Sequence, residues 1–128
     1  MRNYTDDRLR KVSISKNQGI SWGDIYSDPS LIEPICQASM INIQRPLKKN
    51  IVAFSNPNSK SSREKMTIQL SFDKTKTWSK KVLIHEGPSA YSNLINLNNG
   101  QIACLFEGGF DSPYEGIAFK KINIKALK

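Results

Sequence analysis

Two eight-residue stretches of this 128-residue chain follow one pattern: Ser15-Lys16-Asn17-Gln18-Gly19-Ile20-Ser21-Trp22 and Ser71-Phe72-Asp73-Lys74-Thr75-Lys76-Thr77-Trp78. Both satisfy S-x-[D/N]-x-[G/T]-x-[S/T]-W, and their tryptophans, Trp22 and Trp78, stand 56 positions apart. A unit that recurs at such a spacing cannot bury its apolar face alone, so copies must stack. Each copy reads as a hairpin turn. The Asn or Asp accepts nearby backbone N–H groups, glycine permits positive φ, and the tryptophan is expected to anchor the loop on the sheet. The copies depart from an ideal turn at Asn17, where Asp is the stronger acceptor, and at Thr75, where glycine is the easier residue.

Short runs of β-branched and aromatic residues recur between polar turns, at 10–15, 37–43, 50–55, 66–72, 81–85, 90–97, 101–107 and 116–124. The pattern is all-β. Asn56-Pro57-Asn58-Ser59, Asn98-Asn99-Gly100 and Gly108-Gly109 supply the turns, and Asn-Gly between apolar strands is a hairpin signal. Only 28–35 and the extreme C-terminus leave room for a helical turn, and 56–63 is expected to be the one flexible loop. No composition break divides the chain, so residues 1–128 are read as one unit. Stacked four-stranded units at roughly 50 residues each make a β-propeller, of which this length supplies two to three blades. Open strand edges would remain at both ends, so the chain is expected to be a C-terminal piece, with the missing N-terminal blades of the same propeller as its first partner.

Lysine and arginine outnumber aspartate and glutamate by 19 to 11, which favours an anionic partner. The lysines are dispersed, in pairs such as Lys48-Lys49, Lys80-Lys81 and Lys120-Lys121 along strand ends, as on a surface that resists edge pairing. Nucleic acid is not the expected partner. Cys36 and Cys104 form no C-x-x-C pair and His85 is the only histidine, so no metal or other cofactor is expected. Both cysteines lie in apolar runs and read as reduced thiols. There is no transmembrane run in the sequence.

The repeated turn resembles the Asp-box of sialidases. Met1-Arg2-Asn3, Pro34-Ile35-Cys36-Gln37-Ala38-Ser39, Ser55-Asn56-Pro57 followed by Arg63, Ala90-Tyr91-Ser92-Asn93-Leu94 and Cys104-Leu105-Phe106-Glu107 then fall in the order found in exo-α-sialidases of the six-bladed propeller type. The resemblance covers essentially the whole chain. Its most specific elements are the Ala-Tyr-Ser-x-Leu and Leu-Phe-Glu segments. It implies an all-β fold of two to three blades of a six-bladed sialidase-type β-propeller. It also implies retaining hydrolysis of terminal α-linked sialic acid, with sialylated glycans or glycoconjugates as partners, no cofactor, and a bacterial, exported parent.

Carried over residue by residue, the resemblance makes Arg2 and Arg63 two members of the arginine triad that holds the substrate carboxylate. Guanidinium is suited to that task, being always charged, planar and bidentate. Taken alone, Arg63 reads as a solvated arginine in a polar loop; its order and spacing relative to Tyr91 and Glu107 reverse that reading. Arg8 and Arg10 lie close to Arg2 and compete for its assignment. Tyr91 matches the nucleophile. Sialidases are the tyrosine exception among retaining glycosidases, and a neutral phenol avoids the repulsion a carboxylate would meet at a carbon that already bears one. Glu107 matches the carboxylate that orients the first triad arginine. Gln37 lies near the sugar's glycerol or aglycone side, with a solvent-facing strand position as the equal alternative. Ser15, Asn17, Gly19 and Trp22, with Ser71, Asp73 and Trp78, are structural Asp-box residues. In the family the activating glutamate, the acid/base aspartate and the first arginine precede the segment that begins at Met1, so this chain alone is expected to be inactive. Asp6, Asp7, Asp111 and Glu115 read as loop or turn carboxylates. Rival readings are a non-catalytic Asp-box module that binds sugar or protein, and a trans-sialidase, which shares the same residues.

Overall fold

The computed structural model describes residues 1–45, 48–97 and 100–124. Eight strands follow in order: β1 (Leu9–Val12), β2 (Tyr26–Ile32), β3 (Ser39–Arg45), β4 (Lys48–Pro57), β5 (Glu64–Ser71), β6 (Lys80–Leu97), β7 (Gln101–Gly108) and β8 (Gly116–Asn123). Strands β1 and β2 form a two-stranded sheet, and β3 to β8 run antiparallel in sequence order. The 18-residue β6 explains how that second sheet curls. Its first half, up to Pro88, pairs with β5, whereas from Ser89 onward it pairs with β7. One continuous strand is thus the outer strand of one four-stranded unit and the inner strand of the next.

Period-two alternation decides what each face meets. Ala53, Met66, Ile68 and Leu70 point to one side of the β4–β5 ladder and are buried against Leu94, Ile102, Cys104 and Phe106 of the second unit. The opposite face carries Phe54, Thr67 and Gln69, also buried, and packs toward β1–β2 through Trp78 and Arg10. A blade buried on both faces is what stacking of repeats requires. The inner strands meet across the two units: Leu94 N–H donates to Ser39 Oγ (3.0 Å), and Ser55 and Ser92 share a buried hydroxyl bond (2.8 Å). Cys36 and Cys104 are free and buried, and burial raises both thiol pKa values, that of Cys104 to about 11.

Four expectations need correction. Residues 26–32, which include the first five positions of the 28–35 stretch expected to have room for a helical turn, are strand β2. Pro29 is tolerated because β2 has one partner and its register with β1 jumps between Leu9↔Ile32 and Arg10↔Asp28, leaving the proline in the irregular stretch. The 81–85 and 90–97 strands are one strand, since Gly109 N–H donates to Pro88 O and Ser89 N–H to Arg63 O across the apparent Gly87-Pro88 break. The 56–63 segment is tied down: Asn56, Pro57 and Ser59 are buried, and Ser59 Oγ accepts from the Ser61 and Ser62 amides. Trp22 does not anchor its turn, being 65 % exposed beside an open hollow, whereas Trp78 packs on Phe54 and donates to Asp28 Oδ2 (3.1 Å). Asn98, Asn99 and the last four residues, on which a hairpin turn and a helical turn were expected, lie outside the described residues.

Both repeated turns close as their sequences require. In the first, Asn17 Oδ1 accepts the Ser21 amide (2.9 Å) and Ser15 Oγ the Gly19 amide (2.7 Å). In the second, Asp73 Oδ1 accepts the Thr77 amide (2.9 Å) and Ser71 Oγ the Thr75 amide (2.8 Å). Gly19 adopts φ 91°, and Thr75 is forced to φ 67° at the same place.

Candidate functional site

The turns lie at one end of the strands, and the candidate site lies at the other. There the start of β3, the end of β4, the middle of β6 and the end of β7 meet the segment that leads into β1. Pro34, Ile35 and Cys36, between β2 and β3, form an arc on which three arginines converge. Arg2 Nη2 donates to Ile35 O (3.0 Å), Arg63 Nη2 donates to the same oxygen (3.1 Å), and Arg10 Nη1 donates to Cys36 O (3.0 Å). Ile35 sits at φ 57°, a left-handed conformation that is an outlier for a β-branched residue. Backbone of this kind persists where its surroundings over-determine it.

The three arginines differ in their electrostatics. Arg10 is buried and neutralised by the fully buried Glu33 (Nη2–Oε2 2.8 Å), whose other oxygen accepts the Asn3 amide (2.6 Å). Burial pushes the Arg10 pKa down while Glu33 pulls it back up. Arg2 and Arg63 have no carboxylate partner among the described residues. Arg2 is exposed; desolvation, the largest single influence, lowers its pKa, but the neighbouring Tyr91 and Tyr4 together raise it above the ordinary value. Arg63 lies over the Tyr91 ring, 5.7 Å from its centre, and its Nη1 donates to Tyr114 Oη (2.5 Å).

Tyr91 is 42 % exposed and, with Arg2 and Gln37, is among the residues lining an open hollow of about 1370 Å³ that extends along β1 and β2. Its backbone is fixed from two sides. Glu107 Oε2 accepts the Tyr91 amide (3.1 Å), and the Gln37 amide group pairs with the backbone of Ser92, accepting from its N–H (2.9 Å) and donating to its C=O (3.0 Å). Thus Arg2, Arg63 and Tyr91 come together, with Glu107 and Gln37 holding the strand that carries the tyrosine. The seven Asp-box residues belong to the turns at the other end of the strands, and three of them, Ser15, Trp22 and Trp78, line the far part of the same hollow. Asp7, engaged by Ser27, Thr5 and Lys11, and Glu115, which caps three amides of its own loop, are turn carboxylates. No three His, Cys, Asp or Glu side chains among the described residues are grouped to hold a metal, and no described helix is long and apolar enough to cross a membrane.

Sequence reasoning missed Glu33 and Tyr114. A signal existed for Glu33, a single carboxylate inside the apolar run Leu31-Ile32-Glu33-Pro34-Ile35-Cys36, since a charge in such a run is buried only with a partner. For Tyr114, 51 positions from Arg63, there was none.

The described geometry can be set beside known proteins. The BNR repeat-like domain family matches residues 1–104. A sialidase of Bacteroides fragilis is 33 % identical over 99 % of this chain and 24 % of its own length. The solved structure of a Hadza microbial sialidase, Hz136, superposes on 94 % of this chain and 24 % of its own with TM-score 0.79 and 30 % identity. A leech intramolecular trans-sialidase shares the fold, with TM-score 0.80 at 23 % identity over 96 % of this chain and 21 % of its own. The chain therefore belongs to the BNR repeat-like domain family. Within it, the chain is a sialidase-type module with the all-β architecture of sialidase propeller domains, and it spans about a quarter of the length of the B. fragilis relative.

Proposed function

We propose that this module supplies the carboxylate grip and the nucleophile of an exo-α-sialidase that releases terminal α-linked sialic acid with retention. The observation that carries the reading is the pair of un-neutralised guanidiniums, Arg2 and Arg63, converging on one carbonyl oxygen beside an exposed tyrosine. The neutralised Arg10 next to them shows what a purely structural arginine looks like in this fold. Cations left without a carboxylate favour an anionic ligand, and two planar forks side by side suit a carboxylate. Tyr91 Oη, its proton passing to a base, then attacks the anomeric carbon as the glycosidic C–O bond breaks and the aglycone leaves as its protonated alcohol; water next displaces the tyrosine from that carbon, releasing sialic acid and returning the phenol its proton.

A phenol with an ordinary pKa near 10 needs a base, and Glu107 is turned to the Tyr91 backbone amide. We therefore place the activating glutamate, the acid/base aspartate and the first arginine in other blades, with this chain working as the C-terminal portion of a six-bladed propeller. Two faces support that placement. The last unit exposes Ile95, Leu105, Ile117 and Phe119, with Leu105 and Phe119 cross-strand partners on one face. The hollow beside β1 exposes Trp22, Ile25 and Met40.

The test is a chimera in which this chain replaces the matching quarter of the B. fragilis sialidase, assayed on a fluorogenic aryl sialoside. Turnover that Tyr91→Phe abolishes, while Arg63→Ala mainly raises KM, is the expected result; the affinity loss for a desolvated charge pair is about 2–5 kcal/mol. A chimera that folds and melts cooperatively but shows no Tyr91-dependent turnover would overturn the reading in favour of a non-catalytic Asp-box module.

A further inference from the structure

Residues 109–115, between β7 and β8, form a loop closed by hydrogen bonds to one of its own carboxylates. The Glu115 carboxylate accepts three successive amides, from Phe110 (2.9 Å), Asp111 (2.8 Å) and Ser112 (2.7 Å). Those donors hold its pKa below the usual carboxylate range. Gly109 is required at the base of the loop, because a Cβ there would overlap the Ser112 carbonyl and the Glu115 carboxylate. His85 Nε2 lies 3.2 Å from the Gly109 and Pro88 carbonyls and so ties the loop base to β6. From this loop Tyr114, its amide bonded to Ser112 Oγ (3.3 Å), brings its hydroxyl to Arg63 Nη1 at 2.5 Å.

Arg63 is therefore held at both ends of its fork, Nη1 by Tyr114 Oη and Nη2 by Ile35 O. A flexible side chain fixed at both terminal nitrogens has a set plane, and each nitrogen keeps a second hydrogen for a ligand. Both acceptors are neutral, so the cation stays available to an anion. We propose that Tyr114 is a positioning residue that sets the Arg63 guanidinium for carboxylate capture, with the Glu115-capped loop as its support. The assignment deepens the sialidase reading and rests on it for the identity of the carboxylate.

The test needs no sialoside. Phenylglyoxal condenses with both terminal nitrogens of a guanidinium, so its rate on Arg63, followed in the full chain by peptide mass mapping, reports whether both are held. Buried, ion-paired Arg10 reports the integrity of the fold, and Arg8 serves as a reactive reference. Tyr114→Phe keeps the ring and removes the hydroxyl. It should speed modification of Arg63 about tenfold, the factor for one charge-assisted hydrogen bond, with Arg10 still protected. Glu115→Gln should speed Arg63 in the same direction by loosening the loop. An Arg63 rate unchanged in both variants would overturn the proposal. So would loss of Arg10 protection together with that of Arg63, because Tyr114 would then support the fold and not the arginine. Either failure leaves the sialidase reading standing, whereas an inactive, well-folded chimera would sink that reading and leave the Tyr114–Arg63 contact intact.

Discussion

Glu33→Ala should be among the most damaging single substitutions in this chain. It removes a fully buried carboxylate that neutralises Arg10 at 2.8 Å and accepts the Asn3 amide at 2.6 Å. The guanidinium left behind keeps the Cys36 carbonyl at 3.0 Å and the Phe54 ring 5.5 Å away, neither of which carries a charge. Removing one partner of a buried ion pair costs about 3–5 kcal/mol. The stranded Asn3 amide overlaps with that figure, because it is part of the same loss. Arg10→Met combined with Glu33→Leu removes both charges; the Asn3 amide is stranded in either variant, and the Cys36 carbonyl, unpaired only in the double variant, costs about 1–3 kcal/mol against about 3–5 kcal/mol for the uncompensated charge. The double variant should therefore be more stable than Glu33→Ala. Urea unfolding of the three proteins by tryptophan fluorescence measures this: with a slope of about 1–3 kcal/mol per molar urea, the single variant should lose at least about 1 M in its midpoint. A Glu33→Ala loss below about 1 kcal/mol, or a double variant no better than the single, would refute the claim that a buried, uncompensated charge dominates here.

The second repeated turn should titrate and the first should not. Hydrogen bonds from the Thr77 hydroxyl, then the Thr77 amide, slightly opposed by desolvation, and then from Ser71 and the Lys76 amide, lower the Asp73 pKa from 3.8 to about 2. A depressed folded-state pKa means stabilisation that is complete above the unfolded value and is lost as pH falls through the folded one. Amide-exchange protection at Thr77 should accordingly fade between about pH 4 and pH 2, while Ser21, held by the uncharged Asn17, keeps its protection; equal loss at both turns would contradict the assignment. Thr75→Gly should stabilise the chain by about 0.5–1 kcal/mol, since it relieves a β-branched residue at φ 67° and keeps the amide bond to Ser71. A lower melting temperature for that variant would show that the Thr75 side chain contributes more than its backbone strain costs.

What was legible in the sequence is what is decided locally. The Ser15–Asn17–Ser21 and Ser71–Asp73–Thr77 turns close within seven residues through side chain to backbone bonds, so their residue types alone give their geometry. Order along the chain picked out Arg2, Arg63 and Tyr91 as one group, and the structure brings the three side chains together. Strand β2 was not, because Pro29 and Asp28 read as breakers until the irregular pairing with β1 accommodates them. Nor was the continuity of β6 through Gly87 and Pro88, which depends on two long-range amide bonds, to Arg63 O and from Gly109. The Trp22 expectation failed because a side chain anchors only if the sheet it would pack against is there; β1 and β2 offer two strands where Trp78 has four.

The same distinction explains why the two ends of the sheet behave differently. At the turn end each loop satisfies itself, so the motif can repeat with a changed residue, as Thr75 shows, at the cost of some strain. At the site end nothing is self-sufficient. The Ile35 carbonyl is shared by arginines that lie 33 positions before it and 28 after it, and Arg63 also depends on Tyr114, 51 positions on. Such an arc cannot be repeated blade by blade, because each partner comes from a different strand junction. Charge pairing is what distinguishes its arginines from one another. Glu33 takes Arg10 out of service and makes it structural, whereas the neutral acceptors Ile35 O and Tyr114 Oη orient Arg63 without discharging it. A carboxylate in place of either neutral acceptor would hold the arginine equally well and would compete with the carboxylate ligand proposed for it.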